Sequence, residues 1–184
     1  PISAIPFYRG GSPLNWMIIN GENEAGASLL VVDGGIDTGP VVAQRKFNIC
    51  GLNFIEASER ANLEFKAMFE FICQDIEAMI KNAKPQDTSV GSHYTTRVPE
   101  DSEISFKAML DWEIERRCRA LVPPIKRPFF NFSGIEVQIV QADICRRDFF
   151  GPAGRVAGRF EGGVVVICRN RGVCIRKISV NDKI

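Results

Sequence analysis

The chain has 184 residues, of which 45% are hydrophobic, and it carries 23 basic against 22 acidic side chains. It is larger than a disulfide-bonded mini-protein, and its six cysteines form no C-x-x-C pair, so we expect most of them to be reduced core thiols. No signal peptide is visible and no apolar run approaches transmembrane length, so we expect a cytoplasmic protein without a membrane partner. The size suits one ordinary domain, or part of a domain with a small second one.

Charge is distributed unevenly along the chain. From Asp111 to the end there are 14 Lys and Arg against 8 Asp and Glu, whereas the first 110 residues hold 9 against 14. A basic C-terminal third favours an anionic partner, such as a nucleic acid or a phosphorylated ligand. A solvated basic face is the simpler alternative.

The first predicted elements are a helix and a strand. Residues 12–20 predict a short, largely buried helix, because Ser12 and Pro13 suit its N-terminus and Gly21 its end. Residues 27–32 form a β-branched and Leu-rich run too short for a helix, and they predict a strand buried on both faces.

A turn-rich loop over residues 33–40, with three glycines, separates that strand from a second one over residues 41–49. Residues 53–82 predict the longest helix, in which Asn53 and Glu56 form a capping box. We expect its apolar stripe to face a sheet; the stripe consists of Leu63, Met68, Phe69, Ile72, Ile76 and Ile80.

The C-terminal part has a different composition and a different predicted pattern of helices and strands. Residues 83–105 are polar and interrupted by prolines, which predicts a linker. Residues 106–121 predict a helix that ends at Pro123 and Pro124. Short runs separated by Gly, Asn and Asp turns then predict five strands of a small antiparallel barrel; the runs are residues 129–132, 135–142, 154–160, 163–168 and 173–178.

Several motifs resemble those of the folate-dependent formyltransferases. Residues 3–10 (SAIPFYRG) are similar to the family pattern Ser-Leu-Leu-Pro-x-Tyr-Arg-Gly, and residues 32–39 (VDGGIDTG) to its Asp-x-Gly-x-Asp-Thr-Gly loop. Shorter matches lie in the family's order at residues 12–16, 20–22, 97–102 and 119–124. Each motif is weak by itself, whereas the set in this order and spacing is specific.

The resemblance implies an α/β fold with a second domain. Residues 1–82 would be the second half of a Rossmann-like formyltransferase domain, and residues 83–105 a linker. Residues 106–184 would be the small OB-like antiparallel β-barrel of methionyl-tRNA and sugar formyltransferases. The purine-pathway glycinamide formyltransferases lack that barrel, so we set them aside.

The resemblance also implies the chemistry: formyl transfer from 10-formyltetrahydrofolate to an amine, without a metal. The transfer needs donors for an oxyanion and a route for the amine proton, for which the family uses an Asn, a His and an Asp. Asp37 matches that catalytic Asp. The residues implied to bind the formyl donor are Asp33, Gly34, Gly35, Ile36 and Gly39.

The glycines of the loop, Gly34, Gly35 and Gly39, permit positive φ and a close approach of folate. Turn chemistry alone allows another interpretation, in which Asp33, Gly34 and Gly35 are merely a hairpin turn.

On the acceptor side, the resemblance implies that Tyr8, Arg9 and Gly10 flank the amine substrate. The planar fork of Arg9 suits phosphate or carboxylate; an internal salt bridge at a helix entry is an equal alternative. Trp16 on the first helix is expected in the core.

The chain departs from the family pattern at its first residue. With Ser3 and Pro6 in register, the family's His falls on Pro1, and its Asn falls two residues upstream. The chain opens without Met and within a motif, so we expect a portion of a longer protein that is inactive by itself. A one-residue slip of the register would put the His just before Pro1, and the residues immediately upstream of an enzyme should then read Asn-x-His. The only histidine, His93, is expected to be a solvated linker side chain.

Three functions remain open. Residues 13–16, 42–44 and 99–102 look closer to the sugar enzymes, which favours a nucleotide-linked amino sugar as acceptor. The basic C-terminal domain favours tRNA instead, because a phosphate backbone demands clustered Lys and Arg. The third is a degenerate, non-catalytic binding module, favoured by Pro1 at the His position. The basic residues are Arg146, Arg147, Arg155, Arg159, Arg169, Arg171, Arg176 and Lys177.

Overall fold

A computed structural model describes residues 1–87 and 89–180. The chain forms two compact units, Pro1–Arg97 and Val98–Ile184. The boundary between them falls inside the stretch 83–105, which was predicted as a linker. That stretch also contains a two-residue strand and a short 3-10 helix.

The first unit is mixed α/β. Its elements are β1 (Arg9–Gly10), α1 (Pro13–Asn20), β2 (Glu24–Leu30), β3 (Val41–Asn48), α2 (Phe54–Ile72), α3 (Ile76–Lys81) and β4 (His93–Tyr94). Strand β1 pairs in parallel with β4, and β2 pairs with β3 as an antiparallel hairpin. The helix predicted over residues 12–20 is therefore confirmed, with Gly21 in the left-handed conformation at its end. Strand β2 starts and ends earlier than predicted, and Val32 beyond it is 93% exposed.

The single helix predicted over residues 53–82 is wrong, because two helices occupy that stretch. Its start is as expected: the Asn53 side chain accepts from Glu56 N, and the Glu56 carboxylate accepts from Asn53 N. The interruption comes at Asp75, whose carboxylate accepts a hydrogen bond from Ala78 N and caps a new helix. An Asp side chain competes for backbone N–H groups in this way and favours a cap over a helix interior.

The apolar stripe predicted along residues 53–82 is also partly wrong. Met68 and Ile72 are buried, but the other four members of the stripe are exposed. The remaining buried positions of the helix are Ala57 and Ala61. Because alanine is small, the helix backbone can lie close to β2 and β3, and the larger side chains point elsewhere. The exposed four are Leu63, Phe69, Ile76 and Ile80.

The second unit contains the five predicted antiparallel strands. They form one sheet in the order β5-β6-β9-β8-β7, consistent with a small barrel-like domain. The strands are β5 (Phe129–Phe132), β6 (Ile135–Ile144), β7 (Val156–Phe160), β8 (Gly163–Ile167) and β9 (Gly172–Val180). A 3-10 helix (Pro99–Ser102) and α4 (Asp111–Ala120) precede them, so the helix expected from residue 106 begins five residues later.

The buried carboxylate of Asp111 joins α4 to the chain between β8 and β9. It accepts hydrogen bonds from Asn170 Nδ2 at 2.7 Å and from Arg171 Nε at 2.9 Å. Arg171 also binds Asp148, at 2.7 Å. These bonds satisfy a charge that would otherwise be costly to bury.

Four of the six cysteines lie in the second unit's core, as predicted, and all six are free thiols. Burial raises the pKa of Cys118 and of Cys168 to about 12, and that of Cys145 to about 11. The remaining two, Cys50 and Cys73, are exposed.

Candidate functional site

The loop between β2 and β3 is closed by local hydrogen bonds. Val31 N donates to Pro40 O at 2.9 Å across its base. Within it, the Asp33 carboxylate accepts from the Thr38 hydroxyl at 2.7 Å and from Gly35 N at 3.1 Å. These two bonds, the hydroxyl first, hold the pKa of Asp33 below its ordinary value.

The glycines of this loop do not adopt the positive φ that they permit. The left-handed residue is Asp37, at φ 58°. Gly39 is required for another reason: a Cβ there would collide with the carbonyl oxygen of Val31. Gly34, by contrast, has open space around it.

The Asp37 side chain joins the loop to β1. Its Oδ2 atom accepts a hydrogen bond from Gly10 N at 2.9 Å. Gly10 has φ 93°, and a Cβ on it would collide with Tyr94 O and come within 2.8 Å of His93 Nε2. Only glycine therefore fits beside β4 and presents its N–H to the Asp37 carboxylate.

Arg9 is 7% exposed, and its guanidinium donates within the protein. The Gln86 Oε1 atom accepts from Arg9 Nη2 at 2.8 Å and from Nε at 3.2 Å, and Val90 O accepts from Nη1 at 3.2 Å. The Gln86 Nε2 group in turn donates to Asp37 O at 2.9 Å and to Gly39 O at 2.6 Å. These acceptors are an amide oxygen and a backbone carbonyl oxygen, not the carboxylate of a salt bridge or a phosphate. Binding of substrate by Arg9 stays a prediction.

Tyr8 belongs to an aromatic cluster. Its ring stacks on that of Tyr94 with 4.6 Å between centroids, and Trp16 lies 5.8 Å from Tyr94. The Tyr8 hydroxyl donates to Glu22 Oε1 at 2.7 Å and accepts from Asn20 Nδ2 at 3.1 Å. Burial raises the pKa of Tyr8 well above its usual value. Contact of Tyr8 with a substrate stays a prediction.

Two cavities border Asp37. The loop cavity, about 690 Å³, is lined by the loop and α2, including Val31, Asp33, Gly35, Ile36, Gly39 and Phe69. The helix cavity, about 340 Å³, is lined around the start of α1, including Gly10, Ser12, Leu14, Asn15 and Phe54. Asp37 lines both. Of the residues implied to bind the formyl donor, Gly34 is not in the lining.

Sequence reasoning missed two residues of this site. Gln86 gave no signal, because its partners lie 77 and 49 residues away along the chain. His93 is exposed, as predicted, but it lies in β4 against Gly10 rather than in a free linker. Trp16, expected in the core, is half-buried and donates from Nε1 to Thr95 O.

The eight basic residues that favour a tRNA partner fall into two groups. Arg171 is paired with Asp111 and Asp148, and Arg176 with Asp143 and Glu161. The other six are exposed: Arg146, Arg147, Arg155, Arg159, Arg169 and Lys177. Across residues 1–87 and 89–180 there is no group of three or more side chains suited to a metal, and no helix long and apolar enough to cross a membrane.

Family models match most of the chain. A model described as "Formyl transferase" matches residues 2–66, and one described as "Formyl transferase, C-terminal domain" matches residues 97–184. The chain belongs to the formyl transferase family. The resemblance that the motifs indicated is thereby confirmed.

Individual relatives of this formyl transferase chain are distant. A methionyl-tRNA formyltransferase of Deinococcus radiodurans is 26% identical, and the match covers 98% of this chain but 55% of that relative. The chain thus spans about half the length of the curated relatives it matches.

Solved structures share its fold. HypX from Aquifex aeolicus in complex with tetrahydrofolic acid has a TM-score of 0.67 and 20% identity over 96% of this chain and 31% of HypX. The N-formyltransferase from Helicobacter canadensis in complex with folinic acid and dTDP-3-aminofucose has the same TM-score and identity over 94% of this chain and 63% of that one. At these identities the likeness is one of fold.

Proposed function

We propose that the protein transfers a formyl group from 10-formyltetrahydrofolate to a primary amine, with Asp37 as the catalytic carboxylate. The observation that carries the proposal is that Asp37 lines two cavities at once. A two-substrate transfer needs both reactants to meet at the groups that polarise and deprotonate them. A carboxylate held by Gly10 N at that meeting point suits such a role.

The loop cavity suits the folate. Its volume of about 690 Å³ lies within the range of about 300–1,000 Å³ typical of ligand sites. Its lining includes the apolar residues Leu30, Val31 and Phe69 together with the polar residues Asp33, Asp37 and Thr38 of the loop. A flat ring with polar edges needs that combination, and the structurally similar HypX was solved with tetrahydrofolic acid.

The proposed reaction conserves atoms and charge. The amine nitrogen attacks the formyl carbon, the bond from that carbon to folate N10 breaks, and the amine proton ends on N10. The Asp37 carboxylate is suited to orient the group that carries this proton. The Gly10 N–H holds the carboxylate in place, so little reorganisation is needed during the transfer.

For the acceptor, we propose a nucleotide-linked amino sugar. The helix cavity, at about 340 Å³, has room for a single sugar ring beside Asp37. The Helicobacter canadensis enzyme, which shares the fold, was solved with dTDP-3-aminofucose. We keep the cytoplasm as the expected location.

Methionyl-tRNA is the second candidate. The Deinococcus radiodurans relative is a methionyl-tRNA formyltransferase, and six of the eight basic residues considered for a phosphate backbone are exposed. Two of the eight basic residues first considered, Arg171 and Arg176, are neutralised by acidic partners, which reduces the charge available for a phosphate backbone.

The test uses the protein expressed from its complete reading frame. It is supplied with 10-formyltetrahydrofolate and either a panel of nucleotide-linked amino sugars or methionyl-tRNA, and release of tetrahydrofolate is followed by absorbance. Formylation of a sugar supports the proposal. Formylation of tRNA, with affinity falling steeply between low and moderate salt, supports the second candidate instead. Folate binding without transfer to either acceptor would overturn both and leave a non-catalytic binding module.

A further inference from the structure

Gln86 lies between two parts of the site that are far apart in the chain. Its Oε1 atom accepts two hydrogen bonds from the Arg9 guanidinium, and its Nε2 group donates to the carbonyl oxygens of Asp37 and Gly39. Arg9 can only donate and a carbonyl oxygen can only accept. An amide, which has both functions on one planar group, is therefore the side chain that satisfies both neighbours.

The Arg9 end of this bridge is buried and held by further hydrogen bonds. The Arg9 side chain is buried, and further bonds from its guanidinium go to Val90 O at 3.2 Å and Asp87 O at 3.4 Å. Arg9 also pairs with His93 across β1 and β4. A planar guanidinium with several fixed acceptors offers a precise reference point for the Gln86 amide.

The loop end of the bridge contains a residue in the left-handed backbone conformation. Asp37 has φ 58°, a left-handed conformation that L-residues adopt rarely and keep only where their surroundings hold it. It is held on two sides, since Gln86 Nε2 binds its carbonyl and Gly10 N binds its carboxylate. Gly10 follows Arg9 directly, so one restraint comes from β1 itself and the other is connected to β1 through the bonds between Gln86 and Arg9.

From these contacts we infer that Gln86 is a positioning residue: it transmits the fixed position of Arg9 to the loop and so sets where the Asp37 carboxylate stands between the two cavities. The inference rests on the proposed function of Asp37. It adds a residue from beyond α3 to a site that otherwise consists of β1 and the β2–β3 loop.

The substitution Gln86→Glu separates the two halves of the bridge. A carboxylate still accepts from Arg9, but it cannot donate to Asp37 O or Gly39 O. We expect kcat for formyl transfer to fall at least about tenfold while KM for the acceptor changes less than about twofold, because a small displacement of a positioned group lowers the rate strongly.

Gln44→Glu is the matched control. Gln44 lies in the same unit, and its Nε2 group likewise donates two hydrogen bonds, to Ile5 O and to Ser28 Oγ, both at 2.9 Å. The two variants should lose similar amounts of thermal stability, but only Gln86→Glu should lose kcat. An equal loss of kcat in both variants, or in neither, would overturn the inference.

Amide hydrogen exchange tests the same link without any activity. We expect faster exchange in residues 33–39 of Gln86→Glu and unchanged exchange there in Gln44→Glu. Unchanged exchange in both would overturn the positioning role even in an active enzyme. A parent protein that transfers no formyl group would refute the proposed function, whereas faster exchange in Gln86→Glu would still show that Gln86 orders the loop.

Discussion

Replacement of Asp37 by Asn probes the proposed catalytic carboxylate with little disturbance of the fold. Asn has nearly the same shape, and it is among the residues that best tolerate the left-handed conformation found at φ 58°. Its side-chain oxygen can still accept the hydrogen bond from Gly10 N. What disappears is the negative charge.

The two expected effects differ in size. A hydrogen bond to a charged group contributes about 1.5–3 kcal/mol and a neutral one about 0.5–1.5 kcal/mol, so the variant should lose about 1 kcal/mol of stability. For a unit of this size that corresponds to a Tm lower by about 4–8 °C. Loss of a positioned charge in the reaction should lower kcat at least about 100-fold, or about 2.7 kcal/mol in the barrier.

The assay follows release of tetrahydrofolate in the protein expressed from its complete reading frame, with Tm measured on the same samples. Asp75→Asn is the control, because Asp75 caps α3 and Asn caps a helix equally well. That variant should keep both Tm and kcat. A kcat for Asp37→Asn within threefold of the parent, in a variant that is folded at the assay temperature, would refute the role assigned to this carboxylate.

Three further predictions concern the loop, the second unit and the thiols. Thr38→Val removes the main bond that lowers the pKa of Asp33, so a carboxyl NMR titration should show that pKa nearer its ordinary value. A carboxyl whose pKa is lowered on folding stabilises the fold at pH values above its unfolded pKa of about 3.9, and this contribution is lost as pH falls through the folded pKa. The variant should therefore lose less free energy of unfolding on acidification than the parent. Asp111→Ala should lower the free energy of unfolding by about 3 kcal/mol in urea, because it unpairs a buried charge network, whereas Asp148→Ala should cost under about 1 kcal/mol; equal costs would contradict the reasoning. Iodoacetamide at pH 8 should modify the exposed Cys50 and Cys73 in the folded protein and spare the four buried thiols by mass spectrometry; labelling of Cys118 at the rate of Cys50 would be the opposite result.

Much of the fold could be predicted from local patterns. The capping box at Asn53, the Ser12 and Pro13 helix start and the five strands of the second unit all depend on residues within a few positions of one another. The order and spacing of the family motifs are equally a property of the chain alone. These features determined the family and brought Asp37 forward as the candidate carboxylate.

The predictions failed where contacts between residues far apart in the chain determine the local structure. The face of α2 that is buried follows Ala57 and Ala61, because β2 and β3 approach the helix closely, and a hydrophobic stripe alone cannot register that proximity. The loop glycines likewise permitted positive φ, but Asp37 adopts it, since Gln86 and Gly10 hold it from outside the loop.

By itself, the sequence determined the family and predicted which residues of the loop belong to the site. Only the tertiary structure decided that Asp37 borders two cavities and that Gln86 ties it to a buried Arg9. The physical reason is distance along the chain: the bonds from Gln86 span 49 and 77 residues. No local pattern encodes a hydrogen bond whose partners meet only after β1, the hairpin and the segment beyond α3 have come together.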